Sequence, residues 1–288
     1  MTTMPTRRIG GTAVGAIGLG AMPMSLAGRP DEARSIRTIH AALDAGVTLI
    51  DTADAYCLGG SEVGHNERLV AKALASWPGG RSRVLVATTT KGGHTRPGRE
   101  WGLDGRPEYL RQACEASLRA LGVETIGLYQ FHRPDPKVPF AESVGALAEL
   151  KAAGKVRLVG LSNVSVDQVR QARQLLEVAS VQNEFSPRFR RSEGELAWCA
   201  AERIAFLPWS PLGGIGRGRD LGGRHRAFAD VADRHGVSPQ QVALAWELAK
   251  APVVIPIPGA TRPETITDSA AAATLQLSGE DLARLDQL

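Results

Sequence analysis

The chain has 288 residues, 43% of them hydrophobic and 22% charged, and carries a formal net charge of +4. That length admits one large barrel or two ordinary domains with an ample core. The mild positive balance, without a long Lys/Arg run, argues against a nucleic-acid partner and suits a small anionic molecule. Three scattered cysteines, Cys57, Cys114 and Cys199, form no CxxC and exclude a disulfide framework or a zinc site. No apolar h-region follows Arg7–Arg8 and no apolar run reaches spanning length. The expectation is a cytoplasmic protein with no membrane segment.

In chain order, Arg7–Ile9 and Val14–Ile17, joined by Gly10–Gly11, predict an N-terminal hairpin. Short β-rich runs then recur at Ala16–Gly20, Val47–Asp51, Val84–Thr88, Ile126–Phe131, Val156–Ser162, Ser180–Asn183, Ala205–Trp209 and Val253–Ile257. Helical stretches follow them at Asp31–Ala45, Glu62–Ser76, Pro107–Leu121, Pro139–Ala153, Ser165–Glu177, Ser192–Arg203, Ser238–Lys250 and Pro263–Ala273, with a last one at Gly279–Leu288. Pro107, Pro139 and Pro263 suit a first helical turn, where no N–H is needed. Gly46, Gly122 and Gly154 suit helix C-terminal caps. The strands read as near-continuous apolar runs, the signature of strands buried on both faces. Alternating strands and helices predict an α/β fold, a (β/α)8 TIM barrel whose floor the hairpin caps. No linker or composition shift divides residues 1–288, so one domain is expected. Two irregular inserts, Gly92–Arg106 and Leu212–Arg226, follow strand C-termini, the face on which this architecture builds its sites.

Four polar residues fall at those strand ends: Asp51 and Tyr56 in LIDTADAY, Lys91 in VLVATTTK and His132 in LYQFHRP. Each alone has an ordinary reading, as a turn cap, a packing tyrosine, a surface lysine or a structural histidine. Together they name a reaction. A phenol has a reference pKa of about 10, and a neighbouring ammonium, itself paired to a carboxylate, lowers it. Such a phenol can protonate a carbonyl oxygen while a nicotinamide delivers hydride. The glycines Gly15, Gly18 and Gly20 do not form GxGxxG and no helix starts on them, which excludes a Rossmann site. The run Gly213–Gly218 lacks the Lys-Ser/Thr of a P-loop. With Arg217, Arg219, Arg224 and Arg226 nearby, it reads either as a flap over phosphates or as a solvated loop.

The blocks GLGAM, DTADAY, GHNERLVAKAL, ATTTKGG, YQFHRPDP, GKVRLVGLSN, VQNEFSP, PWSPLGG and IPIPGATRPE, in this order and spacing, resemble the aldo-keto reductase family along nearly the whole chain. The resemblance implies an NADPH-dependent reduction of aldehydes or ketones to alcohols, with NADH a poorer cofactor. It puts Asp51, Tyr56, Lys91 and His132 on the catalytic tetrad, Tyr56 as general acid. It puts Gly20, Asp51, Ser162, Asn163, Gln182, Trp209, Ser210, Pro211, Leu212, Gly259, Thr261, Arg262, Thr265, Asp268 and Ser269 on cofactor-binding positions. Among these, Ser162, Asn163 and Gln182 meet the nicotinamide carboxamide and Trp209 stacks on its ring. The stretch from Gly259 into the last barrel helix meets the adenosine 2′-phosphate. Thr265 stands where many relatives carry Arg or Gln, and Asp268–Ser269 replace the usual Glu-Asn. Met22, Cys57 and Trp101 would shape an open pocket for varied carbonyl compounds. The expected partner is a small-molecule carbonyl substrate, with no metal, and the protein a monomer or weak homo-oligomer. Two other functions are compatible with the barrel: an aldolase or lyase forming a Schiff base on Lys91, and a slow-turnover NADPH-sensing subunit.

Overall fold

The computed structural model describes residues 4–90, 102–214 and 216–287. Seven parallel strands follow one another around the sheet in sequence order: β3 (Leu19–Gly20), β4 (Leu49–Ala53), β5 (Leu85–Thr90), β6 (Ile126–Phe131), β7 (Val156–Ser162), β8 (Val178–Gln182) and β9 (Ala205–Phe206). The predicted eighth strand is not a regular one, although its backbone closes the barrel. Ile255 N–H donates to Phe206 O (2.8 Å) and Ile257 N–H to Pro208 O (3.3 Å) on one side. On the other side, Pro256 O and Pro258 O accept from Gly18 N–H (2.9 Å) and Gly20 N–H (3.0 Å). Pro256 and Pro258 have no N–H, so at these two positions the stave accepts bonds from its β3 neighbour and cannot return them.

The chain is thus a (β/α)8 barrel. Its outer ring comprises α1 (Glu32–Asp44), α2 (His65–Ser76), α3 (Pro107–Leu121), α4 (Phe140–Ala152), α5 (Val166–Ala172), α6 (Glu193–Glu202), α9 (Pro239–Lys250) and α10 (Pro263–Ala271). Contact of α10 with α1 closes the ring. Pro107 and Pro263 open their helices as expected, whereas Pro139 sits one place earlier, at the N-cap. Among the described residues no helix is long and apolar enough to cross a membrane.

The N-terminal hairpin, β1 (Thr6–Ile9) and β2 (Thr12–Gly15), plugs the floor. Ile9 and Val14 join the barrel's inner cluster with Leu49, Leu85, Leu128, Ala205 and Ile255, and both are essentially inaccessible to water. Arg7 fastens the plug: its guanidinium donates to Leu248 O and Ala251 O (2.7 Å each) and to Val254 O. These include carbonyls that the end of α9 leaves without helical partners. Burial pushes the Arg7 pKa down to about 10.

The insert Leu212–Arg226 departs from its irregular reading. It holds a 3₁₀ turn (Gly218–Asp220) and α7 (Leu221–Arg224), and it runs directly into α8 (Arg226–His235), which was not expected. Phe228, Val231 and Ala232, spaced three and four residues apart, form the buried stripe of α8. Phe228 meets the fully buried Trp246 edge-on (6.0 Å, 84°), while Phe185 stacks on the same indole (5.5 Å, 5°). Trp246 Nε1 donates to Asp286 Oδ1 (2.7 Å) and so ties in α11 (Gly279–Asp286).

Candidate active site

Along β4 the inward side chain changes from Leu49, in the apolar tier, to Asp51, only 3% exposed. Asp51 Oδ2 accepts from Gln182 Nε2 (2.8 Å) and from Gln130 Nε2 (3.2 Å). Burial pushes the Asp51 pKa up to about 7, against the pull of the two amides. Gln130 takes the same step along β6, two residues beyond Leu128. Its Oε1 accepts from Ser180 Oγ (3.2 Å) across the barrel. Gly160 makes room for that bond, since a Cβ there would lie 2.3 Å from Ser180 Oγ and 3.0 Å from Gln130 Oε1. The reading from sequence missed Gln130. The signal was a lone amide inside the otherwise apolar run IGLYQF.

Tyr56 follows β4 in the rim loop, its N–H bonded to Ala53 O (3.3 Å), and is 7% exposed. Burial first, then the charges of Asp51 and Asp54, push its phenol well above the usual pKa. The His132 ring meets the Tyr56 ring edge-on, with centroids 6.2 Å apart and planes at 87°. Asp51, Tyr56 and His132 are therefore brought to one rim. Lys91 and Trp101 lie outside the described residues. Asp54, 2% exposed and acting on Tyr56, is a further rim carboxyl that the sequence reading passed over.

Behind this rim, α2 supplies a buried polar brace. Thr52 Oγ1 donates to Asn66 Oδ1 (2.6 Å), Asn66 Nδ2 donates to Ala21 O (2.8 Å), and Thr88 Oγ1 donates to Glu67 Oε1 (2.6 Å). These bonds fix the ends of β4 and β5, the strands that precede Tyr56 and Lys91.

The expected carboxamide-binding residues also meet. Asn163, with φ of 57°, donates from Nδ2 to His132 O (2.9 Å) and to Ser162 Oγ (3.0 Å). Ser162 Oγ in turn donates to Gln182 O (2.8 Å). Trp209 is half-buried, its backbone paired with Glu184, and its buried Nε1 has no hydrogen-bond partner among the described residues. Next to it Ser210 takes a left-handed φ of 53°, which turns the chain through the buried Pro211 into Leu212.

Gly20 and Gly259 approach too closely for side chains, a Cβ on Gly20 falling 2.8 Å from Ile257 O. Beyond them Thr261 leads to Arg262, the N-cap of α10, where no side chain caps the first-turn N–H groups. These donors, the exposed Arg262 and the unpaired indole N–H are a set that fits an anionic dinucleotide. Two expected contacts look elsewhere. Asp268 accepts from Ser238 Oγ (2.7 Å) and Gln241 Nε2 (2.5 Å), which ties α10 to α9, and Ser269 is 1% exposed. Thr265 is half-buried in the first turn of α10. In the pocket wall, Met22 is half-buried and Cys57 is buried, its Sγ donating to Ala55 O (3.4 Å).

Known proteins share this sequence pattern and this fold. The sequence model of the aldo/keto reductase family matches residues 16–288. An uncharacterized oxidoreductase of Schizosaccharomyces pombe is 39% identical over 287 residues, covering 98% of this chain and 89% of that protein. The glycerol dehydrogenase from Gluconobacter oxydans superposes with a TM-score of 0.84 at 30% identity, over 98% of this chain and 94% of that one. An aldo-keto reductase from Klebsiella pneumoniae, solved in complex with NADPH, superposes with a TM-score of 0.81 at 29% identity, over 100% of this chain and 95% of that one.

Proposed function

Since this chain belongs to the aldo/keto reductase family, we propose that it reduces aldehydes or ketones to alcohols with NADPH. The observation that carries the reading is the buried Tyr56 phenol, edge-on to His132 and within the field of Asp51, at the C-terminal rim of the barrel. A bound reduced nicotinamide supplies the hydride. Tyr56 supplies the proton, from its hydroxyl to the oxygen of the former C=O.

The described surroundings of Tyr56 keep it protonated at neutral pH, as a general acid must be, but they also oppose the phenolate left after transfer. A cation has to offset that cost. Lys91, the residue after the last of β5, takes that role in this reading, with the Asp51 carboxylate holding its ammonium in place. His132 orients the carbonyl oxygen toward Tyr56. Gln182, which donates to Asp51, would hold the carboxamide together with Ser162 and Asn163. Trp209 would stack on the nicotinamide. Ser210, Pro211 and Leu212 would hold the pyrophosphate, and the start of α10 with Arg262 would hold the 2′-phosphate, which would favour NADPH over NADH. NADPH in complex with the Klebsiella pneumoniae relative supports this choice.

The test is loss of NADPH absorbance on mixing the protein with an aromatic aldehyde, with the alcohol identified as product. Turnover with NADPH well above that with NADH is expected. No oxidation of either cofactor across a broad panel of aldehydes and ketones would overturn the reading.

A further inference from the structure

Alternate strands of a parallel barrel fill its interior in layers, and branched apolar side chains dominate them. Here β4, β6 and β8 contribute Asp51, Gln130, Ser180 and Gln182, which hydrogen bonds link to one another. Gln130 and Ser180 are fully buried, so their polar atoms depend on these bonds.

Gln130, Gly160 and Ser180 are register partners on β6, β7 and β8. The bond from Ser180 Oγ to Gln130 Oε1 (3.2 Å) must therefore cross β7, and the missing Cβ of Gly160 lets it pass. An amide is planar, so anchoring Oε1 also sets the direction of Nε2, which donates to Asp51 Oδ2 (3.2 Å). Gln182 Nε2 donates to that same oxygen (2.8 Å). Two donors on one oxygen fix the carboxyl group. Among the described residues Oδ1 accepts no hydrogen bond, which leaves it for the cation that Tyr56 requires.

We propose that Gln130 is a positioning residue for the reduction: braced by Ser180 through the gap at Gly160, it holds Asp51 in the orientation that supports proton transfer from Tyr56. The inference rests on the reductase reading above. Hydrogen bonds to a carboxylate favour its charged form, and Gln130 with Gln182 pulls the Asp51 pKa down against burial. The titratable groups around Asp51 are Tyr56 and Asp54 after its own strand, Lys91 after β5 and His132 after β6. Its strand partners Gly20 and Ala87 carry no charge.

The test is the pH dependence of kcat for reduction of an aromatic aldehyde by the full chain and by Gln130→Met, which keeps the length and lacks both bonds. The variant is expected to lose about tenfold in kcat, with unchanged KM for NADPH and for the aldehyde. The acidic limb of its profile should move up by about one pH unit. Ser180→Ala keeps the amide but frees it to turn, so it should move the same limb by less. Because Ser180 acts only through Gln130, adding Ser180→Ala to Gln130→Met should change neither kcat nor the limb further. An acidic limb that stays in place in Gln130→Met overturns the proposal, whatever happens to kcat. So does a loss in the double variant equal to the product of the two single losses. If Gln130→Met does not fold, Ser180→Ala decides: an upward shift of the limb supports the proposal and an unmoved limb overturns it. Failure of the parent protein to reduce any aldehyde overturns the reductase reading instead. Carbon-13 NMR titration of the Asp51 carboxyl, identified by its loss in Asp51→Asn, then decides the role of Gln130. A titration moved to higher pH in Gln130→Met supports that role, and an unmoved one overturns it.

Discussion

The two ends of the barrel are built from the same strands and do opposite things. At the floor, Leu49, Leu85 and Leu128 close around Ile9 and Val14 in a water-free apolar tier. Two residues further along the same strands stand Asp51 and Gln130, bonded to each other, with Asp51 also accepting from Gln182. A strand places residues i and i+2 on one face, so a step of two carries the chain from stability to chemistry. The floor gains from every methylene it buries. The rim bears the cost of a buried carboxyl whose pKa sits near 7 and of a phenol held well above its ordinary value.

This contrast can be broken first at Tyr56. Tyr56→Phe removes the proposed acid with little change in packing, and turnover is expected to fall by about 10²–10⁴ with an unaltered melting temperature. Ile9→Ala is the converse experiment at the floor. It should cost about 2–5 kcal/mol of stability, read as a lower denaturation midpoint, while kcat measured well below that midpoint holds. A loss of kcat as large as that of Tyr56→Phe would erase the division of labour between the two ends.

Titration sharpens the comparison. Asp51 has a folded-state pKa of about 7 against an ordinary 3.8, and Glu247 in α9 is raised above its ordinary 4.5. Both are raised because burial disfavours the charged form. Their stabilising contribution is therefore complete below about pH 4 and is lost as pH climbs through the folded-state value. Stability should decline between about pH 4 and 7, and Asp51→Asn should flatten that decline. A slope unchanged by the substitution would mean that the Lys91 ammonium of the proposed mechanism already holds Asp51 ionised in the folded protein at low pH.

Glu247 gives the smallest effect. It is fully buried, and neither carboxyl oxygen has a hydrogen-bond partner among the described residues. Glu247→Leu should raise stability by about 1–3 kcal/mol, the usual cost of an unsatisfied buried polar group. A lower melting temperature would show that the carboxyl has a partner that matters.

Much of this architecture was legible in the residues because its signals are local. Ile126–Phe131 and Val156–Ser162 match their strands end for end, as Pro107–Leu121 does its helix, since apolar runs, an opening proline and a closing glycine act within a few residues. The eighth stave was visible as a β-rich run, but Pro256 and Pro258 kept it from forming a regular strand. Helix α8 was hidden because its start, directly after the glycines and arginines of the insert, carries no capping signal; only its stripe facing Trp246 marks it. At the site, Asp51, Tyr56 and His132 announced themselves as polar groups at strand ends. Gln130 and Asp54 did not, because a single amide or carboxyl in such a run says nothing until the barrel closes around it.

The central claim is that the Tyr56 phenol gives its proton to a carbonyl oxygen as hydride arrives from a nicotinamide. Its most direct test is reduction of an aldehyde with NADPH deuterated at C4, run in H₂O and in D₂O, for the parent protein and Tyr56→Phe. Deuterium found in the alcohol, with a solvent isotope effect present in the parent and absent from the residual activity of the variant, is the predicted result. A solvent isotope effect of the same size in both proteins, or an alcohol free of deuterium, would contradict it.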